Sequence, residues 1–344
     1  MKIFLAGETH RWSAETSYSR ILREMGCNVF AWNNKRPRAL FGNRSWWNLT
    51  RFERVAYNAL ASMAFGRSAC AFQPDVIFLP KADNIHFRAV RRALDQTGAR
   101  LVVWYPDNPF KADMTSMNVL RNIPRCSIFY IWGKFLVEPI RSAGCPDVRY
   151  LPFGFDPGMH PLDAEPNRED EQRFSCDVCF IGAWDREREE DLAPLAEFDL
   201  AIWGPGWAEN LSQDSPLRSH VRGSGIYNRD LVKAYRCAKI VFNHLRQHNG
   251  PAHNNRTMEI AGIGGGVQLV RRTPEQAEGL FVEGEHLLCF HSVPEMRSQV
   301  VRILSDPQRS KEMSKRAQQR VFDRHLLAGR FKQMISDLQE SEGD

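Results

Sequence analysis

"KIVFNHLRQHNGPAHNNRTMEIAGIGGGVQLV", Lys239 to Val270, is the stretch on which the reading of the fold turns. It begins with a short β-rich apolar run, "KIVFNH", and ends with another, "VQLV". Between them a Gly/Pro loop leads to an Asn pair. Asn is a natural helix N-cap and Gly a natural helix stop. Asn254 or Asn255 therefore opens a helix of barely two turns, and Gly264 to Gly266 end it. Arg256 and Glu259 lie in its first turn and share one face. Short apolar runs spaced by helices imply a parallel sheet covered on both faces.

The same alternation extends in both directions. Toward the N-terminus, "CDVCFIGAW" (176–184) and "DLAIWGPGW" (199–207) read as strands running into glycine loops, and 228–238 reads as a helix. Toward the C-terminus, "EHLLCF" (285–290) is the last strand, with helices over 293–304, 307–321 and 326–339. Residues 158–172 are polar and acidic and contain two prolines, a linker composition. Before them come "KIFLA" (2–6), "NVFA" (28–31), "DVIFLP" (75–80), "ARLVVWYP" (99–106) and "CSIFYIW" (126–132). Helical patterns at 13–25, 51–65, 85–96 and 134–143 separate them, with a Trp-rich excursion containing "SWWN" that can line a groove or cap the domain. Both halves open on an apolar strand ending at a glycine, Gly7 in "FLAGETH" and Gly182 in "FIGAWDR". Ligands bind beyond the carboxyl ends of strands in open parallel sheets. Two such sheets facing one another make a cleft suited to a small molecule.

A chain of 344 residues suits about two domains. With 43% hydrophobic and 25% charged residues it is an ordinary globular composition, not a disordered one. An excess of five positive charges fits the handling of anionic small molecules and argues against a nucleic-acid partner. The sequence lacks an apolar run of about 18 residues, so no transmembrane helix is expected, and "IFLAG" is too short for a signal peptide. Eight scattered cysteines then read as reduced thiols of a cytoplasmic protein. "CDVC" has CxxC spacing, but residues three apart on a strand point to opposite faces, so two packed core thiols are expected. His244, His248 and His253 lack a completing ligand pattern, and no metal site is expected. Segment 307–332 carries eight Lys/Arg against two Asp/Glu. That reads as a solvated helix face, with at most peripheral membrane contact.

The chain resembles GT-B glycosyltransferases, and among them the CgeB-like (spore-maturation type) group. The resemblance is carried by "GETH…SRILREMGCNVF", "YLPFGFDP", "CDVCFIGAW", "GIYNRDLVKAYRCAKIVFNH", "NNRTMEIAGIGGGVQLV", "GEHLLCFHSVPEM" and the tail "LSDPQRSKEMSKRAQQRVFDRH", in that order. It implies an α/β GT-B fold of two Rossmann-like domains facing across a cleft. These would be an acceptor-side domain at 1–155 and a nucleotide-sugar-binding domain at 172–325, with 326–344 a C-terminal helix able to return to the first. It further implies transfer of a sugar from a nucleoside-diphosphate-sugar donor, a co-substrate, to an acceptor hydroxyl, without metal or cofactor.

The resemblance assigns residues. A helix N-terminus beginning at Asn255 offers unpaired N–H groups to a diphosphate. Arg256 can make a charge-assisted bidentate contact to it. Glu259 can accept from ribose hydroxyls, and Gly264, in the glycine run, lets backbone and ligand approach. Arg256 and Glu259 can equally form an ordinary exposed i,i+3 pair. Gly182 is expected to face the diphosphate. Arg186 can join it or belong to a solvated charge run, and Tyr227 can contact the base or be a plain aromatic. On the acceptor side, Asp107 can deprotonate or position a hydroxyl, or stabilise a turn. His10 takes the place of a catalytic His in some inverting enzymes, or is a surface residue. Related retaining enzymes carry two Glu separated by seven; Glu259 is the second, Pro251 stands at the first, and His253 or Asn254 are its possible substitutes. Stereochemistry, sugar, base, acceptor and oligomeric state stay open at this stage. So do two rivals, a non-catalytic sugar-nucleotide or glycan-binding protein and a sugar-nucleotide epimerase.

Overall fold

The computed structural model describes residues 1–11, 13–43, 48–81 and 83–340, so 45–47 of the "SWWN" excursion lie outside the described residues. The chain divides into two units, Met1–Pro152 with Arg330–Asp344, and Phe153–Gly329. Each is built around one six-stranded, all-parallel sheet.

In unit 1 the strands are β1 (Lys2–Gly7), β2 (Asn28–Asn33), β3 (Val76–Leu79), β4 (Arg100–Tyr105), β5 (Ile128–Ile131) and β6 (Val148–Tyr150), in the order β2-β1-β3-β4-β5-β6. β3 and β5 are buried along their whole length, the signature of a parallel sheet covered on both faces. Its helices are α1 (Ala14–Glu24), α2 (Arg51–Phe72), α3 (Phe87–Thr97), α4 (Met117–Asn122) and α5 (Val137–Ser142). Ser13 caps α1, and Thr50 with Glu53 forms a capping box on α2. α2 runs well past the expected end at Phe65. Gly66 lies inside it, and the helix stops only at Gln73, which takes the left-handed conformation.

Unit 2 opens with α6 (Arg168–Phe174) and carries β7 (Cys176–Ile181), α7 (Arg186–Leu192), β8 (Leu200–Trp203), α8 (Trp207–Asn210), β9 (Val221–Gly223), α9 (Asn228–Cys237), β10 (Ala238–Asn243), α10 (Asn255–Ile263), β11 (Val267–Arg271) and β12 (Leu288–Phe290). The strand order is β12-β11-β10-β7-β8-β9. Helices α11 (Val293–Leu304) and α12 (Pro307–Arg324) follow. The polar stretch 158–172 is packed rather than free: Ala164 and Phe174 are buried, and Asp170 pairs with Lys233 of α9 at 2.8 Å.

Two apolar clusters cover the faces of the second sheet. Cys179 and Ile181 of β7 join Tyr235 and Met258 on one, while Val178 and Phe180 join Met296 and Val300 on the other. Cys176 breaks the alternation and falls in the same cluster as Cys179, against the expectation of opposite faces. Successive N–H groups of Asp177 and Val178 both donate to the Asp199 carbonyl, a bulge-like irregularity that shifts the pleat by one residue. Both thiols are free and buried.

The last helix, α13 (Leu327–Glu340), contributes its length from Arg330 onward to unit 1. Phe331 packs on Tyr18, and Asp337 accepts from Tyr130 at 2.7 Å and pairs with Arg149 at 2.6 Å. Among the described residues no helix is long and apolar enough to cross a membrane.

Candidate active site

Strand order locates the ligand crevice of each unit. In unit 2 the chain runs β7, β8, β9 in one direction and then crosses to β10 on the other side of β7, so the switch point lies between β7 and β10. The segments beyond the carboxyl ends of these two strands are 182–185 and 244–254, with the N-terminus of α10 following.

Three arginines gather there. Arg188 of α7 is only 18% exposed; its Nη1 donates to the Ala183 carbonyl at 2.6 Å, and the guanidinium lies over the Phe180 ring at 5.7 Å. Asp185, which caps α7, stands 3.4 Å from Arg188 Nε and accepts from Arg246 Nη2 at 2.8 Å, so one carboxylate bridges two cations. Burial, then the Arg246 charge, pull the Arg188 guanidinium down to about 10; Asp185 offsets part of this and Arg256 adds to it. The Nε of Arg188 is buried and has no hydrogen-bond partner among the described residues. A buried guanidinium depressed by two others is an arrangement that an anion would relieve.

Arg256 and Glu259 meet through a third residue. Arg256 Nη1 donates to the Tyr235 hydroxyl at 2.7 Å, and that hydroxyl donates to Glu259 Oε1 at 3.2 Å. Burial works against the charge on Arg256, but Tyr235 and Glu259 outweigh it, and the guanidinium is held above its usual range. Asn254 is the cap of α10, accepting from Thr257 N at 3.0 Å, which leaves Asn255 as the exposed first helical residue.

The other sequence candidates fall as follows. Gly182 lies beside Arg188, but its N–H donates to Trp203 and its carbonyl accepts from Trp207 Nε1, each at 2.8 Å, so its backbone ties two turns together. Arg186 is 83% exposed and pairs with Glu190 at 3.0 Å. Tyr227 is 70% exposed just before α9, with its ring against Gly225. Gly264 stands at the far end of α10 with φ +74, where a Cβ would lie 2.8 Å from Gln318 Nε2. His253 is fully buried, with Nδ1 at 2.7 Å from Glu275 and Nε2 accepting from Phe153 N at 3.3 Å. Asn254 is engaged by Asn243 and His244 as well as by its capping bond. Both possible substitutes for the missing first Glu are therefore already used by the fold.

In unit 1 the switch point lies between β1 and β3. Asp107, beyond β4, pairs through Oδ2 with Lys81, which follows β3. Asp83 accepts from the Tyr105 hydroxyl at 3.1 Å, and burial pushes its carboxyl above the usual range despite Lys81. His10, beyond β1, is mostly exposed and faces Glu8 at 3.2 Å, which also holds Lys35 at 3.4 Å.

Arg188, Arg246 and Tyr235 escaped the sequence reading. In the sequence Arg188 looks like Arg186; the Phe180 ring and the Ala183 carbonyl distinguish it.

Solved structures repeat this architecture. Sucrose-phosphate synthase from Thermosynechococcus elongatus matches with a TM-score of 0.69 at 13% identity, covering 100% of this chain and 99% of that one. HepE from Anabaena, solved in complex with UDP, matches with a TM-score of 0.65 at 13% identity over 99% and 100%. The fold is GT-B. A third GT-B structure, the lipopolysaccharide outer core galactosyltransferase WaaB, gives 0.63 at 13% identity over 99% and 100%. Residues 186–336 match the family model described as Glycosyl transferase-like, a span that starts at α7 and takes in Arg188, Arg246 and Arg256. No curated protein sequence matches the chain.

Proposed function

We propose that this GT-B chain is a metal-independent, CgeB-like glycosyltransferase that uses a nucleoside-diphosphate sugar. The observation that carries the reading is the convergence of Arg188, Arg246 and Arg256 at the β7/β10 switch point, with the Arg188 charge buried and opposed by its neighbours. A diphosphate fits such a site, and fixed cations aimed at it stabilise the charge that grows as the diphosphate leaves. Glu259, steadied by Tyr235, accepts from the ribose hydroxyls. The bond between the sugar anomeric carbon and the β-phosphate oxygen breaks, a bond to the acceptor oxygen forms, and the hydroxyl proton goes to a base. Asp107 is the base we assign, with Oδ2 on Lys81 and Oδ1 for the hydroxyl; His10 is the alternative. The solved HepE complexes with UDP and with UDP-glucose make uridine nucleotides the first donors to try.

A thermal-shift panel of nucleoside diphosphates and their sugars, run on the wild type and on Arg188→Ala, tests the donor site. A ligand at a hundred times its Kd stabilises the fold by about 2.7 kcal/mol. A shift with one nucleotide class that the variant loses is the expected result; no shift with any nucleotide rejects the site. Donor consumption unchanged by EDTA is expected as well.

A sugar-nucleotide-binding module without turnover is the second reading. It is favoured by Pro251 at the position of the first family Glu and by the full engagement of His253. Tight nucleotide binding with no donor consumption across an acceptor panel would select it.

A further inference from the structure

A cavity of ≈ 840 Å³ in unit 1 lies between α2 and α3. Val55, Ala59 and Met63 line one wall, and Arg67, Arg88 and Arg92 stand at its edge. No carboxylate lines the groove among the described residues. Across α2 and α3 there are six arginines and two acids. Both acids are engaged, Glu53 in the capping box and Asp95 with Arg91 at 3.8 Å. The groove therefore combines apolar side chains with three arginines and no negative charge among the described residues.

Two details show that the fold itself does not fill it. Gly66 lines the groove in the middle of a 22-residue helix, where glycine is unfavourable, and a Cβ there would meet nothing within 4 Å. Close packing within the chain does not require that glycine. Asn58 Oδ1, on the same wall, is buried and accepts no hydrogen bond among the described residues. Outside the groove the same side of α2 stays apolar, with Phe52 86% and Leu60 39% exposed. A patch of large apolar side chains on one helix marks an interaction surface.

The geometry points to an anionic phospholipid of a membrane surface as the occupant, its phosphate held by Arg67, Arg88 and Arg92 and an acyl chain laid against Val55, Ala59 and Met63. Charge complementarity selects an anion. The apolar ground beyond the groove selects a bilayer over a single bound helix, because a helix seated in the groove would leave Phe52 and Leu60 uncovered. Burial of apolar side chains together with attraction to anionic headgroups is how peripheral helices hold a membrane surface. The groove uses none of the residues assigned to the donor, so the inference does not rest on that reading.

The test is co-sedimentation of the full chain with phosphatidylcholine vesicles that do or do not contain phosphatidylglycerol. Binding is expected only when phosphatidylglycerol is present. Reversing two of the three exposed charges, Arg67→Glu with Arg92→Glu, should weaken it by roughly tenfold or more, since each basic residue at an anionic surface contributes about a factor of five. Soluble dihexanoyl-phosphatidylglycerol should saturate the wild type, and Gly66→Leu, which fills the groove, should abolish that saturation. Circular dichroism and a cooperative thermal unfolding transition report that both variants remain folded. Absence of vesicle binding, or vesicle binding that ignores the charge reversal, overturns the proposal. Equal competition by inorganic phosphate would reduce it to an anion site and overturn the lipid assignment.

Discussion

Arg256 Nη1 stands 3.7 Å from Glu259 Oε1, one turn away on α10. The pair is not a plain surface ion pair, because the buried Tyr235 hydroxyl links the two side chains and fixes both rotamers. A carboxylate held this way is pre-organised to accept hydrogen bonds from a diol, and preorganisation lowers the entropy lost on binding.

Glu259→Ala is therefore expected to weaken nucleoside-diphosphate binding by ~1.5–3 kcal/mol, the range for hydrogen bonds to a charged group, or roughly ten- to a hundredfold in Kd. The loss should vanish with a 2′,3′-dideoxy nucleotide, which wild type and variant should bind alike. Calorimetric titration of the four combinations decides it. A loss of equal size with the dideoxy ligand would assign Glu259 to orienting Arg256 instead.

Arg188 and Arg186 make a paired test. Replacing Arg188 by Ala should cost about 1.5–3 kcal/mol of diphosphate affinity. Arg186→Ala should change it little, since Arg186 is exposed and its pairing with Glu190 one turn along the helix is screened by solvent. Equal losses in the two variants would mean a diffuse charge effect rather than a site.

This contrast also marks where the sequence stopped being informative. The strands were legible because a buried parallel strand is a short unbroken apolar run, as in Cys176–Ile181 and Arg100–Tyr105. Arg256 and Glu259 were legible because three residues along a helix return to one face. "DRERE" offers no such cue, since its two arginines look alike until Phe180 and the Ala183 carbonyl take one of them. Three-residue β9 was missed because its pairing comes from β8, not from its own "VRG". Gly66 misled in the opposite sense: it looks like a stop, but neighbouring turns continue the helix to Phe72.

Glu15 gives a pH prediction. Burial pushes its carboxyl above the ordinary 4.5 and Glu8 adds to that, while backbone hydrogen bonds offset only part. The folded state thus prefers protonated Glu15. That preference contributes stability in full below pH 4.5 and is lost as pH rises through the folded value, above which ionising the half-buried carboxyl costs stability. Glu15→Gln should be more stable than wild type at pH 7, with the gap closing as pH falls below 4.5. Each kcal/mol relieved should raise Tm by about 2–4 °C for a unit of this size. A gap that is the same at pH 4 and pH 7 would show that packing, not titration, is responsible.

The glycine run at the end of α10 gives the last prediction, and it concerns stability rather than ligand. Gly265 has φ +108, and a Cβ there would stand 2.5 Å from the Tyr235 carbonyl oxygen on α9. Its N–H donates to Ser314 Oγ on α12 at 2.9 Å, so the backbone is held from two helices. An added methyl has neither the conformation nor the room. Gly265→Ala should destabilise unit 2 by about 1–3 kcal/mol from overpacking alone, with strain from the left-handed backbone adding to it. Because Tyr235 supports Arg256 and Glu259, a shift of α9 should also weaken nucleotide binding. Urea denaturation and nucleotide titration of the same variant read both effects. A stable Gly265→Ala with weakened binding would instead place Gly265 against the ligand itself.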